Sequence, residues 1–305
     1  MTGVFKRNVN PRIVAVAILL VLGGVQWWWW SALVAKRAGR PPGGGPRGGP
    51  PMGPSPLLIK GREDVQIGTL SGAPDPGYVD GPGHMARFDG PTGLAVDRDG
   101  SLLVADTRNH RIRRVDSRGI TTTVSGSDAG YRDGPAAEAL FNAPCGIRSE
   151  PAGSTIILDA GNFRIRRLSG GVVSTVAEFP DAKSANQKFF SGQRLSGLKV
   201  LPPSGESEPG LELKSVHSER VLRTPGRTLA LDDNHSALFT LRDDGAEVVA
   251  GIFTPKLRME GWLDGPGNES RIGRVGGLAA ADSRTVYLAD TTNNAIRKVT
   301  FTEGE

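Results

Sequence analysis

Residues Gly93–Gly126 read GLAVDRDGSLLVADTRNHRIRRVDSRGITTTVSG, four short apolar runs cut apart by turn residues. GLAV runs into Asp99-Gly100, SLLVA into the polar Asp106-Thr-Arg-Asn109, and Ile112 to Val115 into Arg118-Gly119. Runs of this length, punctuated by Asp-Gly and Arg-Gly, predict a four-stranded antiparallel meander. Leu102, Leu103, Val104 and Ala105 are apolar without alternation, so the sheet expects cover on both faces.

The cover comes from repetition. Gly146 opens GIRSEPAGSTIILDAGNFRIRRLSGGVVSTVAE and Gly277 opens GLAAADSRTVYLADTTNNAIRKVTF. In all three units an Asp follows the opening Gly by 13 residues (Asp106, Asp159, Asp290) and an Ile by 19 (Ile112, Ile165, Ile296). A period near fifty residues, with one small sheet per period, predicts a small closed β-propeller, all-β in class.

The two ends of the repeat complete each other. Val65 to Gly72, VQIGTLSG, looks like a fourth strand with no first three, while the last unit stops after its third. An N-terminal outer strand pairing with the C-terminal sheet would remove the free edges of a linear array. Between units run Tyr78-Val-Asp80-Gly-Pro82, Tyr131-Arg-Asp133-Gly-Pro135 and Trp262-Leu-Asp264-Gly-Pro266, which predict turns. Phe88, Phe141 and Ile272 each precede an opening Gly by five residues and are expected to plug seams between blades.

The third unit is irregular. Gly197-Leu-Lys-Val is read as its inner strand, and Gly226 to Ala250 aligns without gaps to Gly100 to Val124. The residues between are read as an inserted hairpin on a four-bladed ring, with an incomplete fifth blade as the alternative.

Outside the repeat, charge and composition change. The 305 residues carry a net charge of +5, yet residues 1–60 hold eight basic residues and no acid. The folded part is therefore mildly acidic, which argues against nucleic acid as a partner. One cysteine, Cys145, excludes an intrachain disulfide. Residues 13–35 are uncharged, include Trp27 to Trp30, and would form a helix long enough to cross a bilayer. Residues 1–37 are accordingly read as a single-span anchor, residues 38–60 as a Pro/Gly-rich linker, and 61–305 as the propeller. The expected location is the membrane, single-pass, with the propeller extracytoplasmic.

The motifs DGPGHMARFDGPTGLAVD, LLVADTRNHRIRRV and LADTTNNAIRKV resemble those of NHL-repeat proteins. That resemblance covers roughly residues 60–305 and implies the propeller fold. It implies no single function, because relatives include protein-binding scaffolds, RNA-binding propellers, lyases and lactone hydrolases.

Repeated polar residues are the candidates for chemistry. Asp106, Asp159 and Asp290, with Asn109, Asn162 and Asn293, are read as structural: the Asp accepts backbone N–H groups and the Asn takes left-handed backbone. Arg113, Arg166 and Arg297 are the candidate ligand face, a basic collar for an anion, but the preferred reading is Arg stems covering apolar surface and paired with blade-turn carboxylates. The inner strands GLAV, GIRS, GLKV and GLAA bring together no Asp, Glu or His, and the histidines lack metal-ligand spacing. The expectation is a binding or scaffold module for a protein or envelope ligand, without catalytic residues, metal or cofactor. A metal-dependent lyase or lactone hydrolase is the alternative.

Overall fold

In the computed structural model the described residues are 59–189, 198–201, 212–213, 221–231, 236–242, 245–253 and 260–302. They belong to the unit Pro56–Glu305; the unit Met1–Ser55 lies outside them. The expected anchor, residues 13–35, and nearly all of the expected linker therefore lie outside the described residues. Among the described residues no helix is long and apolar enough to cross a membrane.

Four sheets follow the repeat, each built on an antiparallel meander. Sheet 1 contains Pro91–Val96, Leu102–Asp106, Arg111–Val115 and Ile120–Ser125, in sequence order. Sheet 2 contains Pro144–Ser149, Thr155–Asp159, Arg164–Ser169 and Val172–Glu178. Sheet 3 is built on Val221–Thr224, Arg227–Leu231, Ala237–Arg242 and Gly245–Phe253. Sheet 4 takes Val275–Ala280, Thr285–Asp290 and Ala295–Phe301 from the C-terminus and its fourth strand, Val65–Gly72, from the N-terminal side. Val65 lies opposite Phe301 and Gly72 opposite Ala295. The missing strand at each end is thus supplied by the other.

First strands meet first strands. Pro91–Val96 lies against both Val275–Ala280 and Pro144–Ser149, and Val275–Ala280 also touches Val221–Thr224. The sheets therefore stand in the succession 3, 4, 1, 2, and apolar clusters fill the seams. Phe88 is buried with Leu94 and Val104 of sheet 1 and Ala279, Tyr287 and Ile296 of sheet 4. Phe141 is buried against Leu103, Ala105 and Ile112 of sheet 1 and Ile157 and Val173 of sheet 2. Ile272 joins Leu229, Leu238 and Val249 of sheet 3 to Val286 and Leu288 of sheet 4. All three have no exposed surface, as the seam-plug reading expects. Burying one such side chain contributes about 1.5–3 kcal/mol.

Several local expectations change. The Asp-Gly-Pro segments are short fifth strands as well as turns: Gly81–Pro82 pairs with Ile120 and Thr121, Gly134–Pro135 with Val172 and Val173, and Gly265–Pro266 with Gln66 and Ile67. Each covers the outer edge of the sheet it precedes, where backbone groups would otherwise be left open. Ile59–Lys60, read as the end of the linker, already pairs with Ile252 and Phe253.

The inner strand of sheet 3 is not Gly197-Leu-Lys-Val. Leu198–Leu201 runs parallel to Gly245–Phe253 on the outer edge, and Glu212–Leu213 pairs with it there. Val221–Thr224 takes the inner place because only Pro225 and Gly226 separate it from Arg227–Leu231, so the hairpin closes at small entropic cost. After sheet 2 the chain forms a helix, α1 (Ala182–Phe189).

Candidate functional site

The repeated Asp, Asn and Arg side chains meet in one polar cluster per sheet, in sheets 1, 2 and 4. The second strand ends in the Asp, a 3-10 turn follows, and the third strand carries the Arg inward. In sheet 1, Asp106 Oδ1 accepts the Asp89 N–H at 2.8 Å, while Oδ2 accepts Asn109 Nδ2 and an Arg113 guanidinium N–H, both at 2.8 Å. Asn109 Nδ2 also donates to Gly77 O at 2.6 Å. Arg113 goes on to Arg87 O and Val79 O, each at 3.0 Å, and to Asp80 Oδ1 at 2.6 Å. Asp80 in turn accepts the Thr123 N–H of the outer strand at 2.9 Å.

Sheet 2 repeats this bond for bond, and sheet 4 does so except that Arg297 Nε lacks the bond to the turn aspartate that Arg113 and Arg166 make. Arg166 joins Asp159 at 2.8 Å and Asp133 at 2.5 Å; Arg297 joins Asp290 at 2.9 Å and Asp264 at 2.7 Å. Asn162 Nδ2 reaches Gly130 O and Asn293 Nδ2 reaches Gly261 O, both at 2.7 Å. Each cluster ties the inter-unit segment to the second, third and outer strands of its sheet.

These contacts relocate the arginines. Arg113, Arg166 and Arg297 have no exposed side-chain surface, so they form no collar open to an anion. Their charge is taken up by one buried and one half-exposed carboxylate apiece. Phe88 lies 5.1 Å from the Arg113 guanidinium and Phe141 5.0 Å from that of Arg166, so the seam plugs also cover the ion pairs. Removal from water pushes the Asp106 carboxyl up to about 6, and burial raises Asp159 and Asp290 in the same direction.

The asparagines also change role. The left-handed residue is the next one along, His110 at φ 56°, Phe163 at φ 56° and Asn294 at φ 51°. Asn109, Asn162 and Asn293 sit inside the 3-10 turn and use their side-chain amides as bridges.

Sheet 3 breaks the pattern. At the aligned place of Arg113 it has Phe239, fully buried, and at that of His110 it has Ser236, still left-handed at φ 49°. The signal was present in the sequence: Asp80 to Arg113, Asp133 to Arg166 and Asp264 to Arg297 all span 33 residues, and sheet 3 has no such pair.

Several large apolar and aromatic side chains are also exposed. Tyr78 is 64% exposed, Met85 58%, Val79 54%, Leu263 48% and Tyr131 45%. Tyr78 and Tyr131 stand at the same repeat position as Trp262, two residues before the Asp of Asp-Gly-Pro. Guanidinium groups lie over their rings, Arg111 at 4.5 Å from Tyr78 and Arg164 at 4.0 Å from Tyr131. Such faces offer rigid contact area at low entropic cost. Among the described residues no three His, Cys, Asp or Glu side chains are gathered where they could hold a metal ion. Arg148 of the sheet 2 inner strand stacks on Phe189 at 5.0 Å.

Known proteins share sequence with this chain. The family model described as NHL repeat matches residues 88–115, from the first seam plug to the end of the third strand of sheet 1. The chain is 34% identical over 159 residues to NHL repeat-containing protein 2 of Bos taurus, covering 50% of this chain and 21% of the relative. It is 28% identical over 242 residues to Protein SUPPRESSOR OF QUENCHING 1, chloroplastic, of Arabidopsis thaliana, covering 77% of this chain and 22% of that one. The chain thus spans about a fifth of the length of these curated relatives. Among solved structures, a protein of unknown function from Bacteroides thetaiotaomicron is similar with a TM-score of 0.45 and 14% identity, over 77% of this chain and 76% of the other.

Proposed function

The chain is an NHL-repeat protein, and on that premise we propose that residues 61–305 form a closed four-bladed propeller acting as a rigid binding module. The observation that carries this is the pairing of Val65–Gly72 with Ala295–Phe301, which locks the last sheet with a strand from the other end of the repeat. The polar clusters support the same reading, because they spend the repeated charges on bracing and leave the rim free to vary. The ligand is a protein, met by the aromatic rim around Tyr78 and Tyr131. Residues 13–35 hold the module at a membrane as a single span, with the propeller on the extracytoplasmic side and residues 38–58 as its tether.

Proximity labelling with the full chain in its own cells tests the binding role. A defined set of enriched proteins, lost from a Tyr78→Ser/Tyr131→Ser variant that keeps its circular dichroism, is expected. Enrichment unchanged in the variant rejects the rim. For the anchor, the full chain is expected to resist alkaline extraction from membranes, while a chain lacking residues 1–37 is released; equal release rejects the span.

A further inference from the structure

Two seams are stitched by side chains at the turn after the second strand. From sheet 4, Thr291 Oγ1 donates to Pro91 O at 2.7 Å, and Asn294 Oδ1 accepts the Gly90 N–H at 2.9 Å. From sheet 1, Thr107 Oγ1 donates to Pro144 O at 2.8 Å, and His110 Nδ1 accepts the Ala143 N–H at 3.0 Å. The donors and acceptors are the first and fourth residues of that turn, in register between the two sheets.

In sheet 2 the same positions hold Ala160 and Phe163, whose side chains have no hydrogen-bonding atom. That flank is covered by α1. Ala185 and Phe189 of the helix are buried with Leu158, and Cys145, Ile156, Ala160, Ile165 and Phe179 pack around them. Phe189 follows Asp181 by eight residues, as Phe141 follows Asp133, so it stands where a seam plug is due. The helix begins on Asp181, whose Oδ1 accepts the Ser184 N–H at 2.7 Å. At its far end Arg148 donates to Phe189 O at 3.2 Å.

We propose that α1 is a hinged cover: it lifts from sheet 2 while the two stitched seams stay shut. Lifting releases apolar contacts and the Arg148 bond but breaks none of the buried Arg–Asp pairs. A helix of eight residues has little stability of its own, so its order depends on this docking. Lifting bares a slot formed by Leu158, Ile165 and Phe179 beside Cys145, sized for an apolar side chain. That use of the slot rests on the binding-module reading; the motion itself does not.

Cys145, the only cysteine of the chain, is half-buried at the edge of the cluster that holds Ala185 and Phe189, so its thiol senses α1. Thiol labelling of the full chain with a maleimide is expected to be about 100-fold faster than global unfolding, yet about 10-fold slower than in the urea-unfolded chain. Arg148→Ala should raise the native rate by about 3-fold or more with the main melting transition unmoved. Labelling only at the global unfolding rate overturns the cover, as does native labelling at the unfolded-chain rate or no response to Arg148→Ala. Hydrogen exchange gives a readout that needs no variant. Amides of Ala182–Phe189 are expected to exchange about 100-fold faster than those of Leu102–Asp106, and equal protection rejects the proposal. Loss of rim binding with the labelling pattern intact would fault the binding module and leave the cover standing.

Discussion

Arg166 donates to Asp159 at 2.8 Å with neither side chain reaching solvent, and the partners stand only seven residues apart in the chain. The same pair recurs as Arg113–Asp106 and Arg297–Asp290. A buried pair of this kind gains little net stability over apolar packing, but it cannot lose one member cheaply. Arg166→Met should therefore lower the unfolding free energy by about 3–5 kcal/mol, because Asp159 is left charged and buried. Adding Asp159→Asn should restore at least half of the loss. Urea denaturation of the single and double variants at pH 7 measures both, and additive losses would contradict the pairing.

The Asp106 carboxyl, pushed up to about 6 by burial, holds a proton more tightly in the folded than in the unfolded chain, where its ordinary value is 3.8. Its contribution is thus fully present below the unfolded value and is lost as pH rises through the folded one. Relative to Asp106→Asn, the natural chain should lose about 2 kcal/mol between pH 4 and pH 7. Denaturation curves of the two chains at half-unit pH steps test the sign. A stability difference that stays constant, or grows in favour of the natural chain as pH rises, goes against it.

Two glycines separate backbone strain from seam packing. Gly119 and Gly100 have nearly equal left-handed φ angles, 82° and 81°. An added Cβ at Gly119 would meet Leu70 O of sheet 4 at 2.2 Å, whereas at Gly100 nothing lies within 4 Å. Gly100→Ala should cost about 1–2 kcal/mol, the left-handed penalty alone. Gly119→Ala should cost a further 1–3 kcal/mol or so, because the clash is with backbone of the neighbouring sheet. Equal melting temperatures for the two variants would mean that this seam is slack.

The pairing of Val65–Gly72 with the C-terminal sheet predicts a sharp boundary in truncations. Val65 and Ile67 are buried in the cluster shared by sheets 3 and 4. A chain beginning at residue 65 should keep a cooperative thermal transition, at a lower temperature because Ile59–Lys60 no longer covers the edge of sheet 3. A chain beginning at residue 73 should lose it. Retention of the full transition by the shorter chain would remove the basis for the lock.

What was legible in the sequence by itself was whatever repeats at a fixed offset or is closed by a short link. Asp-Gly and Arg-Gly turns, strand order within the units of sheets 1, 2 and 4, the seam plugs Phe88, Phe141 and Ile272, and the complementary ends all follow from local steric preference and from period. Tertiary structure alone decided the rest. Leu198–Leu201 is equally short and more apolar than Val221–Thr224, yet hairpin closure across Pro225-Gly226 made Val221–Thr224 the inner strand. Arg113 written in a row reads as a surface charge. Its burial depends on Asp80, 33 residues earlier, and on Asp106 being brought to the same point from two other segments. A charge can enter the interior only when its partners arrive with it, and that arrival is a property of the folded sheet.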